Sequence, residues 1–363
     1  MPFDVRDFPA PGGQVTGQTN RQQLAAWMFA IAGMILVMIG LGGTTRLSGS
    51  GLSIMEWAPL MGALPPLSEG EWHRLFGLYQ RIPQYQLVNQ GFGLEGFKQI
   101  FWLEWTHRFW GRLIGLAVAI PLIWFLVTGR MERWLLPRLV LLLSLGGLQG
   151  AVGWFMVASG FQPDATSVSP YRLVVHLVLA VLIYSTCVWT GLALLPRGRP
   201  PVSRTRVLVW LARLVCILIS ITIVAGGFVA GLHAGLDYNT FPLMDGQLIP
   251  RGYTASRPFI LNWTENVAAV QFNHRLLATL TLASVVVTLV IGSRIAGSGT
   301  EKMALTGLGI AVALQYSLGV ATLIHAVPMS LATAHQVCAF LLLTASLVLI
   351  HASRQAAAVT VPG

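Results

Sequence analysis

Residues 101–116 read FWLEWTHRFWGRLIGL. The stretch opens an apolar segment, yet it carries Glu104, His107, Arg108 and Arg112. Ionisable groups are costly in hydrocarbon, and where a membrane helix holds them they mark function. The rest of the chain says that this is a membrane helix. Of 363 residues, 55% are hydrophobic and 10% are charged, against about 25% charged in a soluble domain. The formal charge of +10 does not indicate nucleic acid, because the basic residues stand singly beside apolar segments, as loops near lipid do. Cys187, Cys216 and Cys338 all lie inside apolar runs, so neither a disulfide framework nor a metal-type cysteine spacing is present.

About 20 apolar residues span a bilayer. Eight such runs occur, near 23–43, 107–128, 134–157, 172–195, 207–230, 270–291, 303–325 and 328–350. The fold class is therefore an all-α integral membrane protein with eight transmembrane helices. The first ~20 residues, rich in Pro, Gly and Gln, read as a disordered tail. No cleavable signal or transit peptide is legible, so the first span is expected to act as an uncleaved signal in a bacterial inner membrane. Arg130 and Arg133, then Arg197, Arg199, Arg204 and Arg206, then Arg294 and Lys302 lie in loops of one face. The positive-inside rule puts that face, with both termini, in the cytoplasm. The long loops 44–106 and 231–269 then face outward. Within the first, Ser68 and Glu71 form a capping box ahead of Trp72, Leu75, Phe76 and Tyr79, which predicts a short amphipathic helix with a solvated His73. A second short helix from about Leu94 is expected to run into the second span.

The chain also repeats itself. GGTTRLSGSGL (42–52) resembles GGFVAGLHAGL (226–236), THRFWGRL (106–113) resembles NHRLLATL (273–280), and LQGAVG (148–153) resembles LQYSLG (314–319). The order is kept, so the halves are two pseudo-symmetric four-helix bundles related by an axis along the membrane normal. The expected organisation is a tail 1–22, a first bundle 23–195 with outer loop 44–106, a linker 196–206, a second bundle 207–352 and a tail 353–363.

Four of the eight histidines follow the repeat. His107, His176, His274 and His335 each lie near the outer start of an even-numbered span, one pair per half, with a small residue four positions later: Gly111, Ala180, Ala278 and Ala339. A lone membrane histidine commonly just hydrogen-bonds a neighbour. Four equivalent ones in a duplicated bundle point instead to haem iron, since zinc would need three or four converging ligands. His233 and His325 read as interfacial and His351 as structural. The halves differ at one telling place: Glu104 precedes His107 by three residues, whereas Gln271 precedes His274. A carboxylate there is either a proton shuttle or cation stabiliser, or the ion-pair partner of Arg108 or Arg112. Arg46, Arg108 and Arg275 suit outward-pointing haem propionates. Arg112 lies deeper and needs a buried partner.

Two long signatures carry a resemblance: GGTTRLSGSGLSIMEWAPLMGALPPLSEGEW with FKQIFWLEWTHRFWGRLIG, and VAGLHAGLDYNTFPLMDG with QFNHRLLA. From about residue 27 to 350 the chain resembles the haem A synthases, on the proteobacterial and mitochondrial branch that lacks an outer-loop cysteine pair. The resemblance implies oxidation of the C8 methyl of haem O to a formyl group for cytochrome oxidase biogenesis. It implies haem b as cofactor on His274 and His335, substrate haem O at His107 and His176, and Glu104 as the catalytic carboxylate. Transient contact with haem O synthase and oxidase assembly factors would follow, with lipid around the spans and room for oligomerisation. A dihaem cytochrome b-type electron-transfer protein explains the histidines equally well but not Glu104. A transporter with relay histidines lacks the expected mid-membrane breaks.

Overall fold

The computed structural model describes residues 12–59, 61–195 and 205–357. Ten α-helices run in chain order: α1 Gly12–Leu47, α2 Glu69–Tyr79, α3 Pro83–Leu87, α4 Leu94–Val127, α5 Leu136–Val157, α6 Pro170–Leu194, α7 Thr205–Gly231, α8 Val267–Ile295, α9 Gly299–Ile324 and α10 Met329–Ala357. Eight of them, all but α2 and α3, are long and apolar enough to cross a membrane. Among the described residues there is no strand beyond an isolated bridge, Met244 with Gln247. Backbone groups inside hydrocarbon must be satisfied within their own segment, and helices do this.

The helix ends follow local chemistry. Ser68 caps α2 by accepting from the Glu71 N–H, and Asn266 caps α8 by accepting from the Ala269 N–H. A full capping box closes at α9, where Ser298 and Glu301 bond reciprocally. The box expected at α2 is only half made, because the Glu71 carboxylate turns to Arg74 instead. One boundary differs from the sequence reading. Helix α1 starts at Gly12, so residues 12–20 are helix rather than disordered tail, and the rest of that tail, 1–11, lies outside the described residues. The helix expected from about Leu94 does run into the second span, as one continuous α4, so His107 sits more than three turns inside that rod. The linker segment 196–204 and residues 358–363 of the C-terminal tail also lie outside the described residues.

In each half the four long helices pack in a ring. The first ring runs α1–α4–α5–α6 and back to α1; the second runs α7–α8–α9–α10 and back to α7. The rings meet through α1 on α10, α6 on α7 and α6 on α10. Exchanging α1 with α7 and α6 with α10 maps the first contact onto the second and the third onto itself, which is the pattern of a two-fold axis. A continuous apolar core crosses the seam, from Leu24, Met28 and Ile35 of α1 to Leu208 and Ile219 of α7 and Phe340 and Leu343 of α10. A separate aromatic cluster lies under α2: Trp72 meets Phe101 edge-on at 4.9 Å, and the fully buried Tyr79 lies tilted against Phe97 at 5.4 Å. Helix α2 is thus a roof over the start of α4.

Candidate haem sites

The four histidines stand on diagonally opposed helices, His107 on α4 across from His176 on α6, and His274 on α8 across from His335 on α10. Within each pair the two rings are near enough to interact electrostatically. Each of the four histidines is partly buried.

Each ring rests on a glycine of the preceding long helix. A methyl group on Gly42 of α1 would lie 3.1 Å from His107 Nε2. On Gly153 of α5 it would lie 3.0 Å from His176 Cε1, on Gly226 of α7 3.1 Å from His274 Cε1, and on Gly319 of α9 2.8 Å from His335 Cε1. The approach at Gly319 is closer than a real Cβ shows, and the other three are tight enough that the imidazole would have to shift by a few tenths of an ångström, so glycine lets each ring sit close. All four glycines belong to the repeated motifs, the first of each GG pair and the last of each LQxxxG, but sequence reasoning used those motifs only to detect the duplication. The second glycine of each pair faces the other bundle. Gly43 abuts Gln336, and Gly227 abuts Leu177 and Val174. Gln336 follows His335 and Leu177 follows His176, so each dipeptide touches a histidine of its own bundle and the neighbour of a histidine in the other.

The histidines fit a bis-imidazole prosthetic group. Nδ1 of His176, His274 and His335 is buried, and Nε2 of His176 meets the Gln149 amide. Among the described residues no cluster of three or more His, Cys, Asp or Glu gathers as a bare metal site. Of the small residues four positions on, Gly111 is packed by Met38 and Ala339 joins the apolar core.

Glu104 is 2% exposed and fully engaged. Its Oε2 accepts from Ser53 Oγ at 2.7 Å and from the Ile54 N–H at 2.9 Å, and its Oε1 accepts from Arg108 at 2.6 and 3.0 Å. Arg108 donates onward to the carbonyls of Ile54 and Glu56, and Arg112 to those of Ala58 and Pro59. Residues 104, 108 and 112 share one face of α4, so the outer loop is laid along that face residue by residue. Trp57 then reaches Trp154 of α5 at 5.3 Å. The second bundle repeats the device without the carboxylate. Gln271 donates to the carbonyls of Ala234 and Asp237, and Arg275 donates to those of Tyr238 and Thr240 and to Gln271 Oε1.

Arg108 and Arg275, expected as propionate partners, are engaged by loop carbonyls, and Arg108 also pairs with Glu104, the alternative open in the sequence. Arg112, expected to need a buried partner, finds the carbonyls of Ala58 and Pro59. The Arg46 side chain makes no hydrogen bond or ion pair among the described residues, and the pKa of His233 is lowered by burial and then by Arg46. Of the three predicted propionate partners, Arg46 alone is uncommitted.

Residues 25–347, nearly the whole of both rings, match the COX15-CtaA family of cytochrome oxidase assembly proteins. The chain belongs to this family. It is 59% identical to the heme A synthase of Granulibacter bethesdensis over 93% of this chain and 89% of that protein. It is 46% identical to the heme A synthase of Azorhizobium caulinodans over 94% and 96%, and 47% identical to that of Rhodospirillum centenum over 90% and 87%. The family match covers all four histidines, Glu104 and both loop clamps.

Proposed function

We propose that the chain is a haem A synthase of a bacterial inner membrane, oxidising the C8 methyl of haem O to a formyl group. Two successive hydroxylations give a geminal diol, which loses water to form the aldehyde. The observation that carries this reading is the combination of long, high-identity kinship to heme A synthases with two diagonal histidine pairs whose surroundings differ in one charge.

In this reading His107 and His176 hold the substrate haem in the first bundle. His274 and His335 hold haem b in the second, where it supplies one-electron transfer. The glycine seats fix the imidazole planes. Arg46 takes a propionate at the outer end of α1. The loop 53–59, pinned by Glu104, Arg108 and Arg112, closes the first bundle on its outer side and limits water there. Glu104 already accepts four hydrogen bonds, so it acts as a fixed negative charge beside the substrate rather than as a mobile proton carrier. A fixed anion favours cationic character developing at the methyl carbon. Both termini lie in the cytoplasm and both haem sites toward the outer face.

The test is pigment extraction. The full-length protein, produced in cells that make haem O and purified in detergent, should yield haem b together with haem O, its hydroxylated form or haem A by mass spectrometry. Haem b alone would favour a dihaem electron-transfer cytochrome.

A further inference from the structure

The bundles differ at a second place. Gln149 and Gln315 occupy the same position of the repeated LQxxxG motif, one turn before the glycine that seats the histidine. In the first bundle the Gln149 amide nitrogen lies 3.2 Å from the carbonyl oxygen of His176 and 3.2 Å from Nε2 of the same residue. The carbonyl decides which end of the side chain is nitrogen, because only an N–H can donate to it. The other N–H of that amide then faces Nε2. A ring nitrogen facing a donor must accept, so His176 carries its proton on Nδ1. In the second bundle no hydrogen bond joins the Gln315 side chain to His335 among the described residues, while Oε1 of both glutamines is buried without a partner.

Nε2 of His176 is the nitrogen that the Gln149 amide meets, and its lone pair serves either an N–H donor or an iron, not both. We infer that Gln149 makes His176 the releasable ligand of the substrate haem. The inference rests on the reading of His176 as a ligand of that haem. Whenever Nε2 leaves iron, the Gln149 amide offers it a hydrogen bond, so release does not strand a buried polar atom. The same tautomer serves both partners, so the exchange moves no proton. Nε2 of His335 has no such side-chain donor among the described residues, which suits a permanent ligand of an electron carrier. The chemistry gives release a purpose, since an iron held by two histidines has no axial position free. Gln149 is in this sense a positioning residue that acts through His176.

The experiment uses the full-length protein loaded with haem O, reduced, with carbon monoxide as the probe of an open axial position. One neutral hydrogen bond shifts the on–off equilibrium of His176 by roughly 2–10-fold. Gln149→Met keeps the length of the side chain and removes the donor. It should slow carbon monoxide binding by roughly that factor and raise the low-spin fraction of the substrate haem at unchanged haem O content. Gln315→Met should leave the first-site rate as in the parent. Gln149→Leu is the second variant, and the haem b spectrum of the second bundle reports folding of each protein. A parent-like carbon monoxide rate in a folded, haem O-loaded Gln149 variant overturns the inference. His176→Ala separates the two levels: if it leaves both the haem O spectrum and the rate unchanged, His176 is not a ligand and the underlying site reading fails.

Discussion

Glu104 and Arg108, one turn apart on α4, meet at 2.6 Å, while the other carboxylate oxygen holds the Ser53 hydroxyl and the Ile54 N–H. Gln271 and Arg275 meet at 3.0 Å in the equivalent place of the second bundle. The same clamp is thus built once with a carboxylate on the arginine and once with an amide in its place.

That pairing predicts the behaviour of Glu104→Gln. Removing one partner of a buried ion pair commonly costs 3–5 kcal/mol, but Arg108 is 19% exposed and keeps its loop carbonyls. The Gln/Arg version already functions as a clamp in α8. We therefore expect a loss of about 1–2 kcal/mol, a folded protein with normal haem b, and a fall in haem A yield of at least tenfold with haem O or its hydroxylated form accumulating. Thermal unfolding and pigment mass spectrometry read the two effects separately. Normal haem A yield would remove the Glu104 charge from the mechanism.

The glycine seats predict site-selective haem loss. Gly153→Ala places a methyl 3.0 Å from His176, and Gly319→Ala places one 2.8 Å from His335. The first should lower substrate-haem content and spare haem b; the second should do the reverse. Gly33→Ala, where nothing lies within 4 Å, should change neither. Haem-to-protein ratios after extraction check this, and equal loss from both sites in either seat variant would count against local seating.

The outer loop carries a small acid-sensitive element. Arg74 hydrogen-bonds Glu56 and Glu71 at 2.8 Å, and those bonds hold both carboxyls below the usual range. Depressed carboxylate pKa values add stability that is present above the unfolded pKa and lost as pH falls through the folded values. The groups are close to half exposed, so the gain is a few tenths of a kcal/mol and falls with salt. Glu56→Gln should leave the thermal midpoint almost unchanged at pH 7 and shrink its drop between pH 6 and pH 3.5. An identical drop in parent and variant would show that the triad contributes nothing.

Much of this was legible in the chain. Eight apolar runs gave eight membrane-long helices, because composition and length decide a span with little help from tertiary context. The motif repeat exposed four equivalent histidines and the Glu104–Gln271 difference. What a single sequence conceals is the choice among partners. Arg108 could face a propionate or Glu104 as far as spacing tells, and Arg112 could pair with any buried acceptor; only the course of loop 53–59 shows that Arg108 holds Glu104 together with loop carbonyls and that Arg112 takes carbonyls. The glycine seats were hidden for the same reason, since Gly42 and His107 are neighbours in space through helix packing that no local pattern encodes. The early start of α1 was missed because its first turns lack an apolar stripe.

The central claim is a division of labour, with substrate chemistry in the first bundle and electron transfer in the second. The most direct measurement is the pigment content of His107→Ala beside that of His274→Ala, each purified from cells making haem O. The account predicts that His107→Ala keeps haem b and loses haem O and haem A, while His274→Ala loses haem b and retains unconverted haem O. Loss of haem b from His107→Ala, with haem O still bound and converted, would contradict it.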